Sequence, residues 1–474
     1  KMYLQGQTCT NSEFASKRVL TYTTPLSWPG VNHCLPWSLV STRKSSSYEI
    51  MNFQRLLLFW PRLLGASYSY VSSRMTVDTD VIIIGAGPAG LTAARRLSEH
   101  GIEYTLISRE RNPGAEKTCG GYVPRRALEE FNLNSILGAH EVKSIRMKFP
   151  GLDMTKVEFD DPVGVNISRE NLGAALLKKI DAGTGEMWLD TEAGLISITA
   201  EKCTVKYRKG EESGTISANL IIDASGVNPV SLRFTSIRNR PENSGIGYGV
   251  QYQIRTKRPL EIANDFYYGS EFSPRGYAWN FPRSHETVLG TGGIVEEVRD
   301  NERRTFAYLD HLVSNTEPIA TELNDAGFEI VKREAALMPL AGIFKPSYGR
   351  RIMLAGDAAC HCSPITGEGI HYSMKAGHIA AEVAADCIQK GDFSKEALSR
   401  YEKLWTKDFG SDLKWGLWLQ KRFMESGSSS MGSTFLNSDK STRVIAEMLA
   451  GIRSVRSAIL SAAPSYLLSK IRRI

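Results

Sequence analysis

At Asp80 the pattern of apolar and polar positions becomes sharp. Val81-Ile-Ile-Ile84 is an unbroken apolar run, as expected of a strand buried on both faces of a parallel sheet. Leu91, Ala94 and Leu97 follow at helical spacing, Gly101 stops the helix, and Tyr104-Thr-Leu-Ile107 makes a second apolar strand. Strand, helix and strand in such quick succession predict a βαβ unit. Leu220-Ile-Ile222 predicts a later strand turning at Asp223-Ala-Ser-Gly226. Ile352-Met-Leu-Ala355 predicts another, running into Gly356-Asp357 and an Ala-rich helix over 369–389. Residues 240–335 read as aromatic-rich strands with one helical stretch over 301–325. Beyond Phe393 the pattern is helical, broken by a Ser/Gly segment at 426–433. The predicted organisation is an extension over 1–75, a discontinuous α/β domain over 76–239 and 336–392, a second domain over 240–335, and a helical region over 393–474.

Residues 1–75 show no lasting periodicity and hold eight basic residues against two acids, Glu13 and Glu49. Such a stretch reads as a transit-like peptide or as translated upstream sequence, with starts at Met51 or Met75. The chain of 474 residues carries a net charge of +7, and the extension accounts for most of it. The remainder is close to neutral, so the basic balance does not predict a nucleic-acid partner. The composition, 42% hydrophobic and 23% charged, is that of a globular protein. Seven scattered cysteines without a CxxC pair suit a reducing compartment. Cys360-His361-Cys362 lacks a second ligand pair at zinc spacing, so no metal is expected. No apolar run is long enough to span a bilayer.

Gly85-Ala-Gly87-Pro-Ala89-Gly90 sits between the first strand and helix. The first glycine makes the turn, the second admits a pyrophosphate to the backbone, and the third lets helix and strand pack, with the helix N-terminus facing the anion. The acid that normally ends the second strand is replaced by Ser108, with Glu110 two residues on as a substitute ribose ligand. One such fingerprint with a distant strand, Gly356-Asp357 and helix fits FAD, whose ribityl half needs a second anchor. Asp357 would accept from ribityl hydroxyls. Pro364-Ile-Thr-Gly367-Glu-Gly369-Ile370 would aim a helix N-terminus at the flavin pyrimidine, favouring negative charge on the reduced ring.

Gly85–Gly90, Ile167-Ser-Arg169, Asp223–Gly226 and Gly356-Asp357-Ala-Ala together resemble the FAD-dependent hydroxylase-type (glutathione-reductase-like) fold. Lys117-Thr-Cys119-Gly120-Gly121, and Tyr277-Ala-Trp279-Asn-Phe281-Pro282 with Gly290-Thr-Gly292, narrow the resemblance to the geranylgeranyl reductase family, over roughly 78–425. Pro364–Tyr372 looks closer to archaeal lipid-saturating members, the digeranylgeranylglycerophospholipid reductases, than to plant pigment enzymes. The resemblance implies a Rossmann-type FAD-binding domain, an inserted antiparallel β-sheet substrate domain and a C-terminal helical region. It implies FAD lined by Ala89, Ser108, Cys119, Gly120, Arg169, Ala224, Asp357, Gly369 and Ile370. Gly121, Gly226, Pro364 and Gly367 belong to the same set of motifs. Cys119 would sit beside the isoalloxazine as the candidate catalytic residue, and Tyr277, Trp279, Phe281 and Pro282 would wall a prenyl channel.

The expected activity is saturation of carbon–carbon double bonds of geranylgeranyl chains, on a lipid or a diphosphate, with hydride from reduced flavin. Electrons would come from reduced ferredoxin or NADPH. The rivals are a flavin monooxygenase and a non-catalytic prenyl-binding flavoprotein. Against the first, Ser225 stands before Gly226 where monooxygenases of this fold carry Asp. Arg453, Arg456, Lys470, Arg472 and Arg473, interleaved with apolar residues, predict a peripheral contact with a membrane surface, on the cytoplasmic face. Organelle targeting would follow if residues 1–75 are a transit peptide.

Overall fold

The computed structural model describes residues 78–462 apart from 134, 182, 274–275, 297–303 and 427–438. The extension over 1–75, the break at 427–433 and the basic end Lys470–Arg473 lie outside the described residues. The first sheet runs Tyr348–Gly349, Ile352–Leu354, Glu212–Asp223, Thr79–Ile84, Tyr104–Ile107, Gly185–Trp188. All its pairs but the first are parallel. Ile82, Ile83, Leu106, Ile221 and Leu354 are fully buried, as continuous apolar runs require. The strand Glu212–Asp223 also pairs antiparallel with Cys203–Lys209, which pairs with Glu192–Ile198.

Register sets the position of the loops. Ile84 lies opposite both Asp223 and Ile107, and Asp223 opposite Leu354. The strands therefore end together, and their backbones stay bonded one residue further: Gly85 N donates to Ile107 O, Ala224 N to Ile84 O, and Ala355 N to Asp223 O. The turns at Gly85, Ser108, Ala224 and Gly356 so meet at one carboxyl edge, where open α/β sheets bind ligands.

The helix Pro88–Glu99 opens directly from the glycine turn and packs beneath the long helix Ile370–Lys390. A methyl at Gly377 would lie 2.0 Å from the Ala89 carbonyl oxygen, and one at Gly356 3.1 Å from the Ala89 Cβ. This close crossing brings the two glycine motifs, 271 residues apart in sequence, to a single place.

The second sheet has seven strands in the order Phe328–Pro339, Ile246–Thr256, Glu286–Ile294, Tyr277–Pro282, Ala263–Tyr268, Ser144–Lys148, Thr155–Glu158. It takes in Ser144–Lys148 and Thr155–Glu158, which lie in the first α/β segment by sequence. The sheet is mixed rather than wholly antiparallel, because Ala263–Tyr268 pairs parallel with Ser144–Lys148. The helical stretch over 301–325 resolves into Thr305–Asn315 and Ile319–Ala326, separated at Thr316–Pro318. These helices cover one face through Tyr252, Leu289 and Ala278. Tyr277, Trp279 and Phe281 alternate to the opposite face. Arg146 fastens helix to sheet, with Nε 2.5 Å from Asp265 Oδ1 and NH1 2.5 Å from Glu322 Oε1. The C-terminal helices Gly410–Ser426, Asp439–Leu449 and Val455–Ala462 close the molecule.

Candidate active site

One cleft of about 530 Å³ runs from the carboxyl edge of the first sheet to the aromatic face of the second. Every residue assigned from sequence to the cofactor or the prenyl chain lines it except Gly90 and Pro282. Gly90 acts from beneath: a methyl there would lie 1.9 Å from the Gly85 carbonyl oxygen, so only glycine lets helix and turn touch. Gly85 has φ +103°, open to glycine at no steric cost. The space before Gly87 is clear, with nothing within 4 Å of a built methyl, at the N-terminus of Pro88–Glu99. Pro282 serves the framework, its carbonyl accepting from Asn166 Nδ2 at 2.9 Å.

Arg169 begins the helix Arg169–Leu177, capped by Ser168 Oγ accepting from Asn171 N at 3.1 Å. Its buried Nε and NH1 have no acceptor among the described residues. Buried donors left without a partner are costly, so an acceptor group belongs there. Glu110 does not simply take the ribose place: its Oε2 accepts from Gly114 N at 2.6 Å, tying down its own loop. Ser225 is wired into its turn, its Oγ 2.5 Å from Asp223 Oδ1 and accepting from Val230 N at 2.9 Å. The clear space at Gly87, the unmatched Arg169 donors and the Gly356–Asp357 turn fit FAD. Arg169 and the amides after Gly85 would face phosphate, and Asp357 the ribityl hydroxyls. The helix N-terminus at Ile370 departs from expectation. Glu368 Oε1 already accepts from His371 N at 2.8 Å, and its Oε2 lies 3.6 Å from Arg126 NH2. A carboxylate thus occupies part of the positive helix end that the sequence assigned to the flavin.

At the other end Trp279 lies on glycines. Methyls at Gly290, Gly292 and Gly249 would stand 2.2, 3.4 and 3.3 Å from the indole carbons, and Gly290 is its direct cross-strand neighbour. The indole is therefore seated by absent side chains on two adjacent strands. Tyr277 and Phe281 flank it, with Phe266 and Tyr268 behind. The Tyr277 hydroxyl donates to Thr366 O at 2.5 Å, linking this wall to the Pro364–Ile370 segment; burial raises its pKa well above the ordinary value. Half-buried Cys119 sits in the loop between the two ends.

Sequence reasoning missed the wall supplied from afar. Tyr248, Gln251 and Met338 come from the second sheet and Leu340 from just beyond it, while Met448, Leu449 and Val455 come from the C-terminal helices and Arg453 from the turn between them. Met448 and Leu449 pack on the Phe266–Phe281 aromatic cluster. Nothing local marks these residues, because their role comes from long-range contacts alone. The unexpected polar lining includes Gln251 Oε1 and Trp279 Nε1, both buried and without a partner among the described residues.

A family model described as pyridine nucleotide-disulphide oxidoreductase matches residues 79–259. Digeranylgeranylglycerophospholipid reductase 1 of Methanococcoides burtonii is 28% identical over 363 residues, spanning 76% of this chain and 87% of that protein. The digeranylgeranylglycerophospholipid reductase of Methanococcus vannielii is 29% identical over 362 residues, spanning 72% and 87%. The chain is related to the geranylgeranyl reductases. In fold it matches a geranylgeranyl bacteriochlorophyll reductase-like protein from Thermoplasma acidophilum, with a TM-score of 0.71 at 21% identity over 84% of this chain and 99% of that one. A flavin-dependent brominase shares the fold at a TM-score of 0.63 and 17% identity, over 84% of this chain and 100% of that one. The match to an oxidoreductase family model and the reductase relatives make the chain an FAD-dependent oxidoreductase.

Proposed function

We propose that this oxidoreductase saturates carbon–carbon double bonds of geranylgeranyl chains carried by an isoprenoid lipid. The observation that carries the reading is the continuity of the cleft: glycine turns built for a dinucleotide open without a break onto an aromatic wall. Reduced FAD supplies the hydride such a saturation needs. The chain's own residues do the rest. Trp279, Tyr277 and Phe281 bind isoprenoid units through apolar area, worth about 25 cal/mol per Å². Unactivated alkenes react only when held close and in line, so the wall's rigidity matters as much as its affinity. The apolar lining excludes water and oxygen from the reaction compartment. Cys119 is the candidate to hand the balancing proton to the second alkene carbon. The electrons come from an external donor, reduced ferredoxin or NADPH.

The decisive experiment uses the full chain loaded with FAD, reduced anaerobically with dithionite and mixed with digeranylgeranylglycerophospholipid. Mass spectrometry should find product heavier by two hydrogens per bond reduced. An oxygenated product formed only in air would replace this reading with a monooxygenase. Flavin bleaching without product would leave a lipid-binding flavoprotein.

We also place the protein peripherally on the cytoplasmic face of a membrane, which a lipid substrate favours. Exposed Ile452 (54%) and Leu460 (45%) lie in the same C-terminal stretch as exposed Arg456, a combination suited to anionic lipid. Among the described residues no helix is long and apolar enough to cross a membrane. Sedimentation with anionic vesicles, which should carry the protein down at low salt and release it at high salt, tests the placement.

A further inference from the structure

Three successive residues of the loop Lys117–Gly121 are each bonded to the second sheet, and each bond reaches a different strand or strand end. The Thr118 hydroxyl donates to Ala335 O at 3.4 Å, in Phe328–Pro339. Cys119 O accepts from Gln251 Nε2 at 3.4 Å, in Ile246–Thr256. Gly120 O accepts from Arg283 NH2 at 3.2 Å, the residue directly after Tyr277–Pro282. One residue further the loop is fixed to the first domain, where Gly121 O accepts from Ile167 N at 2.9 Å.

The two side chains that hold carbonyls are themselves set firmly. Gln251 is 1% exposed and its Nε2 also donates to Glu334 Oε2 at 2.7 Å. Glu334 in turn accepts from Gln253 Nε2 at 2.9 Å and pairs with Lys332. Arg283 is half-buried, and its Nε, like Gln251 Oε1, is a buried atom without a partner. Neither is explained by burial of apolar surface, and both point polar groups at one short loop. Half-buried Cys119 lines the cleft, and the next residue, Gly120, lies against the wall, where a methyl would stand 2.8 Å from Phe281 and 3.3 Å from Trp279 Nε1.

We infer that Gln251 and Arg283 are positioning residues: gripping the Cys119 and Gly120 carbonyls from the substrate sheet, they fix the stretch of backbone from which the Cys119 thiol extends into the cleft. With the carbonyls of Cys119 and Gly120 both held, the peptide planes that follow them are restrained, and the Cα–Cβ bond from which the Cys119 thiol extends keeps its place and direction. The loop meets the first domain at Gly121 and the second sheet at 118–120. The thiol's placement is therefore set by the seating of one domain on the other. The inference deepens the reductase reading and rests on it for the role of the thiol, but not for the clamp.

The test compares Arg283→Gln, Arg283→Lys and Gln251→Met with the wild-type full chain loaded with FAD. Alkylation of Cys119 by iodoacetamide at fixed pH, followed by peptide mass spectrometry, separates it from the other cysteines. Loss of the grip should change the Cys119 rate by about tenfold at Arg283, a charged donor, and by roughly threefold at Gln251, a neutral one. Flavin occupancy and Tm should stay near wild type. Arg283→Lys keeps the charge but not the forked donor geometry, so it should fall between wild type and Arg283→Gln. In turnover with the lipid, kcat should drop while KM holds. An unchanged alkylation rate in folded, flavin-loaded Arg283→Lys and Gln251→Met would overturn the clamp, even if Arg283→Gln fails to fold. A wild type that reduces no alkene, with variants that still alter alkylation, would overturn the reductase reading and leave the clamp standing.

Discussion

The two ends of the cleft are shaped by opposite means. At the dinucleotide end the backbone itself forms the surface: strands stop in register, turns align, and glycines at 85 and 90 let helix and sheet come into contact. At the aromatic end the surface is made of large side chains, and glycines serve as the floor on which Trp279 rests. The first end needs a few residues of one kind at fixed positions. The second needs shape complementarity among residues from five strands and two C-terminal helices. Substitutions at the first end should therefore act on flavin binding, and on folding too where a glycine packs against backbone, whereas those at the second should act on substrate handling with flavin retained.

The sharpest test pairs Gly90→Val with Gly87→Ala. Gly90→Val forces a side chain into the Gly85 carbonyl and should cost about 3 kcal/mol or more, with loss of flavin. Gly87→Ala meets nothing in the chain, so Tm should hold while FAD content falls, because the methyl takes the space before the helix N-terminus. Chromatography of released flavin and thermal melting read both. Normal flavin in Gly87→Ala would move the pyrophosphate elsewhere.

At the aromatic end, Trp279→Ala and Gly290→Ala attack the same contact from either side. Trp279→Ala should keep its flavin, lose about 1–3 kcal/mol, less than a fully enclosed aromatic, and turn over far more slowly. Gly290→Ala must displace the indole by its added methyl and should reproduce the turnover defect without opening a cavity. Chain-length preference should broaden in the first and narrow in the second, measured with prenyl substrates of different length. Loss of flavin and stability together in Trp279→Ala would make that strand face ordinary core.

The smallest effect at neutral pH belongs to His361, fully buried and ringed by Trp405 and Phe409 at 4.5 and 5.1 Å. Burial, with Arg238 nearby, lowers its pKa from 6.5 to about 3. The folded protein thus holds it neutral, and its contribution to stability is complete above pH 6.5 and declines as pH falls from there toward 3. His361→Phe should match wild type at pH 8 and exceed it in Tm at pH 5. Parallel pH–Tm curves for the two proteins would show that His361 does not titrate on unfolding.

Much of the dinucleotide end was legible because its signals are local. A buried strand, a glycine turn and a helix start occupy consecutive residues, and backbone geometry limits what such a run can form. Gly356-Asp357 was legible for the same reason. The bond from Gly114 to Glu110 was not legible, because it is set by how one loop folds back. Glu368 was passed over because a capping carboxylate and a flavin-facing loop look alike in sequence.

By itself, the chain's order of residues determined the strands, the turns and the aromatic alternation of Tyr277, Trp279 and Phe281, since periods of two and of 3.6 are properties of neighbouring residues. Tertiary structure alone decided that Met448 and Leu449 would complete the aromatic cluster, that Gly290 would seat Trp279, and that Gln251 and Arg283 would reach the Cys119 loop. Such contacts join residues tens to hundreds of positions apart. They arise only when separate apolar faces find one packing that buries them together, and no local pattern encodes which faces will meet.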